Sequence, residues 1–109
     1  MEILIESPFQ LVDRKKESIE ESIRELVKHD AQVTQAQVYF KTFDALGEEN
    51  KCTAVIQLHV PGPVIFASAD APSDMEAFSL VCDKVERILR KARDMRNDHQ
   101  ENKDITQMS

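Results

Sequence analysis

The 109 residues are 41% apolar and 31% charged, and no apolar run approaches the roughly eighteen residues of a membrane helix, so the chain reads as one soluble globular domain with one modest core. Its opening, MEILIESPF, carries acids and lacks the basic-then-apolar layout of a secretory signal, which makes the cytoplasm the expected compartment. A net charge of −6 excludes indiscriminate nucleic-acid binding but leaves room for a local basic face.

Residues 3–5, ILI, form a short β-branched run that predicts a first strand, ended by Pro8. Asp13 is placed to cap a helix to about His29, with Ile19, Ile23, Leu26 and Val27 on one side. Residues 36–43, AQVYFKTF, alternate: Ala36, Val38 and Phe40 share one face, Gln37, Tyr39 and Lys41 the other. A polar connection, DALGEEN at 44–50, leads to a second alternation with Cys52, Ala54, Ile56, Leu58 and Val60 inward. PGP at 61–63 predicts a tight turn, and VIFASA at 64–69 a fourth strand, so residues 51–70 form a hairpin.

SDME at 73–76 has the form of a capping box, with Ser73 and Glu76 each accepting a backbone N–H. The helix it opens, expected over 73–96, carries Phe78, Val81, Cys82, Val85, Leu89 and Ala92 in one apolar stripe. Residues 97–109 are polar and aperiodic, which predicts a flexible C-terminal tail behind a domain of residues 1–96. The expected fold is α+β, ordered β-α-β-β-β-α: a four-stranded sheet with two helices packed on one face.

Catalytic signatures are absent. There is no GxSxG, no HExxH and no phosphate-cradling loop, which two glycines could hardly build. The acid pairs Glu20/Glu21 and Glu48/Glu49 do not converge on a substrate, since neighbours on a helix point about 100° apart and the second pair falls in a loop. Cys52 and Cys82 make no CxxC and are expected to be reduced, and the three histidines lack metal spacing. The expectation is a protein that is not an enzyme, with no cofactor, no metal, no small-molecule substrate and no membrane contact.

One stretch departs from the acidic whole. Asp83–Arg96, DKVERILRKARDMR, holds six of the fourteen basic residues and three acids, a local +3. With Val85 at the centre of the stripe, Lys84, Arg87, Arg90 and Lys91 fall on the outer half of the helix and Arg93 on its border. Glu86 with Arg90 and Asp83 with Arg87 are i,i+4 pairs, so a solvated helix with internal ion pairs explains the pattern as well as a polyanion site does.

The run VCDKVERILRKARD resembles the second helix of the ribosome hibernation-promoting factor family, which includes the ribosome-associated inhibitor and carries a run close to VDKLERQIRKYK. Asp83, Lys84, Glu86, Arg87, Arg90 and Lys91 match in kind and spacing, and Val85 and Leu89 keep the apolar positions. Ile88 stands where the family has a polar residue and Ala92 where it has an aromatic one. The opening strand, the VPGP turn and the element order extend the resemblance over about residues 1–96.

The resemblance implies a fold like that of double-stranded-RNA-binding domains. It also implies docking on the small ribosomal subunit, where messenger and transfer RNA would sit, which inhibits translation and keeps ribosomes in stress-induced hibernation. It implies RNA contacts by Lys84, Arg87, Arg90, Lys91 and Arg93 of the second helix and by Arg24 and Lys28 of the first. The length fits the short type, which lacks a C-terminal dimerisation domain. Helix 1 departs from the family, whose exposed lysines give way to Glu20, Glu21, Ser22 and Glu25; residues 13–30 hold five bases against six acids. The alternative is a diverged module of the same fold that binds a protein partner.

Overall fold

The computed structural model describes residues 1–8, 10–30, 32–43 and 51–105, with side chains to residue 95 apart from that of Phe43. The expected connection at 44–50, with its Glu48/Glu49 pair, lies outside the described residues. The elements are β1 (Glu2–Glu6), α1 (Asp13–Leu26), β2 (Gln35–Phe43), β3 (Lys51–His59), β4 (Ile65–Ala71) and α2 (Asp74–Ile105). This is the expected β-α-β-β-β-α order.

The sheet runs β1-β2-β3-β4, with β1 parallel to β2 and the other neighbours antiparallel. Its register follows the sequence alternation. Val38 faces Ile56, which faces Ala67, and Ala36 faces Leu58, so the inward residues of three strands form rows beneath the helices. Ile56 and Leu58 are wholly buried, as are Ile19 and Ile23 of α1 and Val81 and Val85 of α2. Burying each such side chain contributes about 1.5–3 kcal/mol. Phe40 meets Phe78 with ring centroids 6.4 Å apart, tying the sheet to α2. Val55 is buried on the opposite face, between Tyr39 and Ser68, a position that the alternation alone assigns to solvent.

Helix boundaries differ from expectation in three places. The N-cap of α1 is Val12, with no side-chain cap; Asp13 is the first helical residue, where its charge meets the helix dipole. The helix ends at Leu26, and the chain turns through Val27, whose carbonyl accepts the Asp30 N–H. α2 continues to Ile105, through residues 97–105, where the sequence predicts a tail. No glycine or proline interrupts those residues. At about 1.5 Å per residue the 32 residues of α2 span ~48 Å, against ~30 Å for the nine-residue strands. Ala92, expected in the stripe, is exposed, and Leu89 is the last buried position among the described side chains.

Local chemistry sets the remaining turns. Ser73 Oγ accepts the Glu76 N–H at 3.3 Å, the forward half of the expected capping box. Gly62 has φ 109°, a conformation costly for any residue with a Cβ, within the expected tight turn. Cys52 and Cys82 are free thiols.

Candidate nucleic-acid interface

The positions on α2 follow from its buried stripe. Val81, Val85 and Leu89 point at the sheet, so the residues between them project to one of two flanks. One flank turns toward α1 and carries Asp83, Glu86 and Arg93, which line the groove between the helices. The other turns toward β4, the edge strand, and carries Lys84, Arg87 and Lys91. Lys84 shows the direction: its Nζ donates to the main-chain oxygen of Ser68 in β4 at 2.8 Å.

The seven expected RNA-binding residues therefore do not form one surface. Arg87 and Lys91, one helical turn apart, are exposed and have no hydrogen-bond or ion-pair partner among the described residues. Lys84 stands beside them, its ammonium on the sheet edge. Such a cation also covers an edge that could otherwise pair with another strand. Arg90 donates to Glu86 within its own helix, an exposed pair worth little to stability.

Arg93 has a different neighbour. Its Nη1 donates at 2.7 Å to Oδ2 of Asp30, whose side chain is 1% exposed. Asp30 lies where α1 has ended and the chain turns toward β2, and its main-chain oxygen accepts the Val33 N–H. Arg93 thus neutralises a buried carboxylate and joins two parts of the chain. Nothing in the sequence marks Asp30 for this; the only signal is the position of Arg93 on the border of the apolar stripe. The second carboxylate oxygen, Oδ1, is buried without a donor among the described residues.

On α1 the expected bases are set apart from those of α2. Arg24 is exposed, lies on the flank away from the groove, and has no partner among the described residues. Lys28 is exposed and paired with Glu25. The hydrogen bond from Lys28 and its charge hold the Glu25 carboxyl below the usual range, with a smaller contribution from His29. Burial in the groove, with Asp83 adjacent, pushes the Cys82 thiol up to about 12. That thiol is protonated at neutral pH and is no nucleophile. Among the described residues no group of three or more His, Cys, Asp or Glu could hold a metal ion, and no helix is long and apolar enough to cross a membrane.

Solved structures share this arrangement of elements. A ribosomal subunit interface protein from Coxiella burnetii is similar with a TM-score of 0.72 and 18% identity, over 85% of this chain and 98% of its own. The Protein Y N-terminal domain of Thermus thermophilus is similar with a TM-score of 0.66 and 19% identity, over 82% of this chain and 93% of its own. No curated protein matches the sequence. The family model described as sigma 54 modulation protein / S30EA ribosomal protein matches residues 7–97, from the end of the first strand through the basic run of α2, and the chain belongs to that family.

Proposed function

We propose that the protein is a non-enzymatic, cytoplasmic ribosome-associated factor that binds the small ribosomal subunit, inhibits translation and promotes hibernation under stress. Family membership supports this, as does a fold neighbour named for the ribosomal subunit interface. The unit that docks is residues 1–96, and the polar residues 97–109 are its C-terminal extension.

The observation that carries the reading is the flank of α2 toward β4. Arg87 and Lys91 are exposed cations with no partner among the described residues, and Lys84 lies beside them. Unpaired cations meet phosphates without first breaking an internal contact, and arginine adds a forked geometry suited to phosphate oxygens. Arg90 contributes after releasing Glu86, Arg24 adds a separate contact from the outer flank of α1, and Lys28, held by Glu25 at the groove, contributes little. Arg93 holds Asp30 first, so its part in RNA binding is the smallest.

Sedimentation with purified small subunits tests the reading. The protein is expected to pellet with them at low ionic strength and to be released as salt rises, because phosphate contacts displace counterions. Failure to pellet even at low salt would sink the proposal.

A further inference from the structure

Between the two helices runs a groove of about 770 Å³ whose character is opposite to that of the outer flank of α2. Its walls carry four exposed carboxylates, Glu21 and Glu25 from α1 and Asp83 and Glu86 from α2. Between the walls lies an apolar floor of Leu26, Met75, Phe78 and Cys82, all but Phe78 only partly covered. Three cationic or titratable groups also line it: Lys28, paired with Glu25; Arg93, held by Asp30; and His29.

Acids alone would be an ordinary solvated rim. Here they flank an apolar trough from both sides: Glu21 and Glu25 of α1 stand across from Asp83 and Glu86 of α2, with Glu25 bonded to Lys28 and Glu86 to Arg90, while Arg24, Arg87 and Lys91 lie outside the groove. A polyanion is repelled from such a trough. A polypeptide that alternates basic and aliphatic side chains satisfies both features at once: its aliphatic groups cover the floor, and its cations reach the carboxylates on the walls. We propose that the groove between α1 and α2 docks a basic, aliphatic-containing polypeptide segment, and that RNA stays outside it. This goes beyond the ribosomal reading and does not depend on it, since the groove recognises such a segment whether or not the outer flank of α2 meets RNA.

The test uses the full chain labelled at its methionine methyl groups, with Met75 reporting on the groove floor and Met1, ahead of the first strand, on a place outside the groove. The probes are a short synthetic peptide alternating arginine and leucine, a matching arginine–glycine peptide, and a single-stranded RNA. The arginine–leucine peptide is expected to shift the Met75 resonance and leave Met1 in place, and the arginine–glycine peptide to bind more weakly. Glu21→Gln with Asp83→Asn should weaken the arginine–leucine peptide about fivefold to tenfold. Glu6→Gln with Glu17→Gln removes the same charge outside the groove and should change binding less than about twofold. Unchanged unfolding midpoints for both double variants keep the comparison clean, since all four carboxylates are exposed. A Met75 resonance that ignores the peptide overturns the proposal, as does equal weakening in the two double variants. Equal binding of the two peptides, or an RNA that shifts Met75, does the same. Ribosome sedimentation is a separate readout, so either proposal can fail alone.

Discussion

The two flanks of α2 are drawn from one run of fourteen residues, yet they face different surroundings. Toward β4 the helix shows Lys84, Arg87 and Lys91, with two of these cations unpaired among the described residues. Toward α1 it shows Asp83 and Glu86, with Arg90 bonded to Glu86 and Arg93 to Asp30. A local charge of +3 is therefore a poor description of either side. What decides whether a cation is available is the neighbour that its flank meets, and that neighbour comes from a distant part of the chain.

The largest expected effect separates Arg93 from Arg87. Arg93→Ala leaves the Asp30 carboxylate buried and unpaired, which should cost about 3–5 kcal/mol in denaturant unfolding. Arg87→Ala, at an exposed site with no partner among the described residues, should stay within about 0.5 kcal/mol. Equal destabilisation by the two would erase the distinction between the flanks.

Next comes the floor that both flanks share. Leu89 is 4% exposed and its neighbour Ile88 is 38% exposed, so Leu89→Ala should cost about 2–5 kcal/mol and Ile88→Ala clearly less. A larger effect at Ile88 would mean that the helix is rotated from the orientation that defines the flanks.

These contrasts show what was legible in the sequence. The alternations at 36–43 and 51–60 and the stripe from Phe78 to Leu89 have a fixed period, and each places its inward residues in the core or against it, with Val60 and Cys82 only partly covered. The length of α2 was not legible, because polar residues without glycine or proline are compatible with helix and tail alike. For the candidate site, periodicity assigns Lys84, Arg87, Arg90 and Lys91 to the outer half of a helix but is silent on what lies beside it. The carbonyl of Ser68 and the carboxylate of Asp30 are 16 and 63 residues from their cations, and no local pattern joins them. The same blindness hides the groove: Glu21 and Asp83 each look solvated until the two helices are placed side by side.

A smaller effect, on affinity, tests the outer flank itself. Arg87→Ala with Lys91→Ala should weaken binding to small subunits by about tenfold or more at moderate salt, while the fold stays intact. It should also flatten the dependence of log affinity on log salt by about 1.4–1.8, at 0.7–0.9 for each phosphate that is no longer neutralised. An unaltered slope would show that the two cations meet no phosphate, whatever the change in affinity.

The smallest expected effect concerns the residue on which the two flanks compete. Arg90 lies beside Arg87 and Lys91 in sequence, but its guanidinium is bonded to Glu86 on the side of α1. Both partners are exposed, at 61% and 49%, so the pair is screened by water and contributes no more than about 0.5 kcal/mol. Glu86→Gln should therefore leave the unfolding midpoint almost unchanged. It frees the guanidinium from a charged partner and removes an acid from the α2 wall of the groove. If Arg90 reaches RNA once released, the variant should bind small subunits about twofold to fivefold more tightly and steepen the salt dependence by up to about 0.9. The double variant Glu86→Gln with Arg90→Ala separates the two causes. A gain that survives the removal of Arg90 comes from relieving repulsion at the groove, whereas a gain that vanishes assigns Arg90 to the cationic flank despite the partner it holds in the free protein.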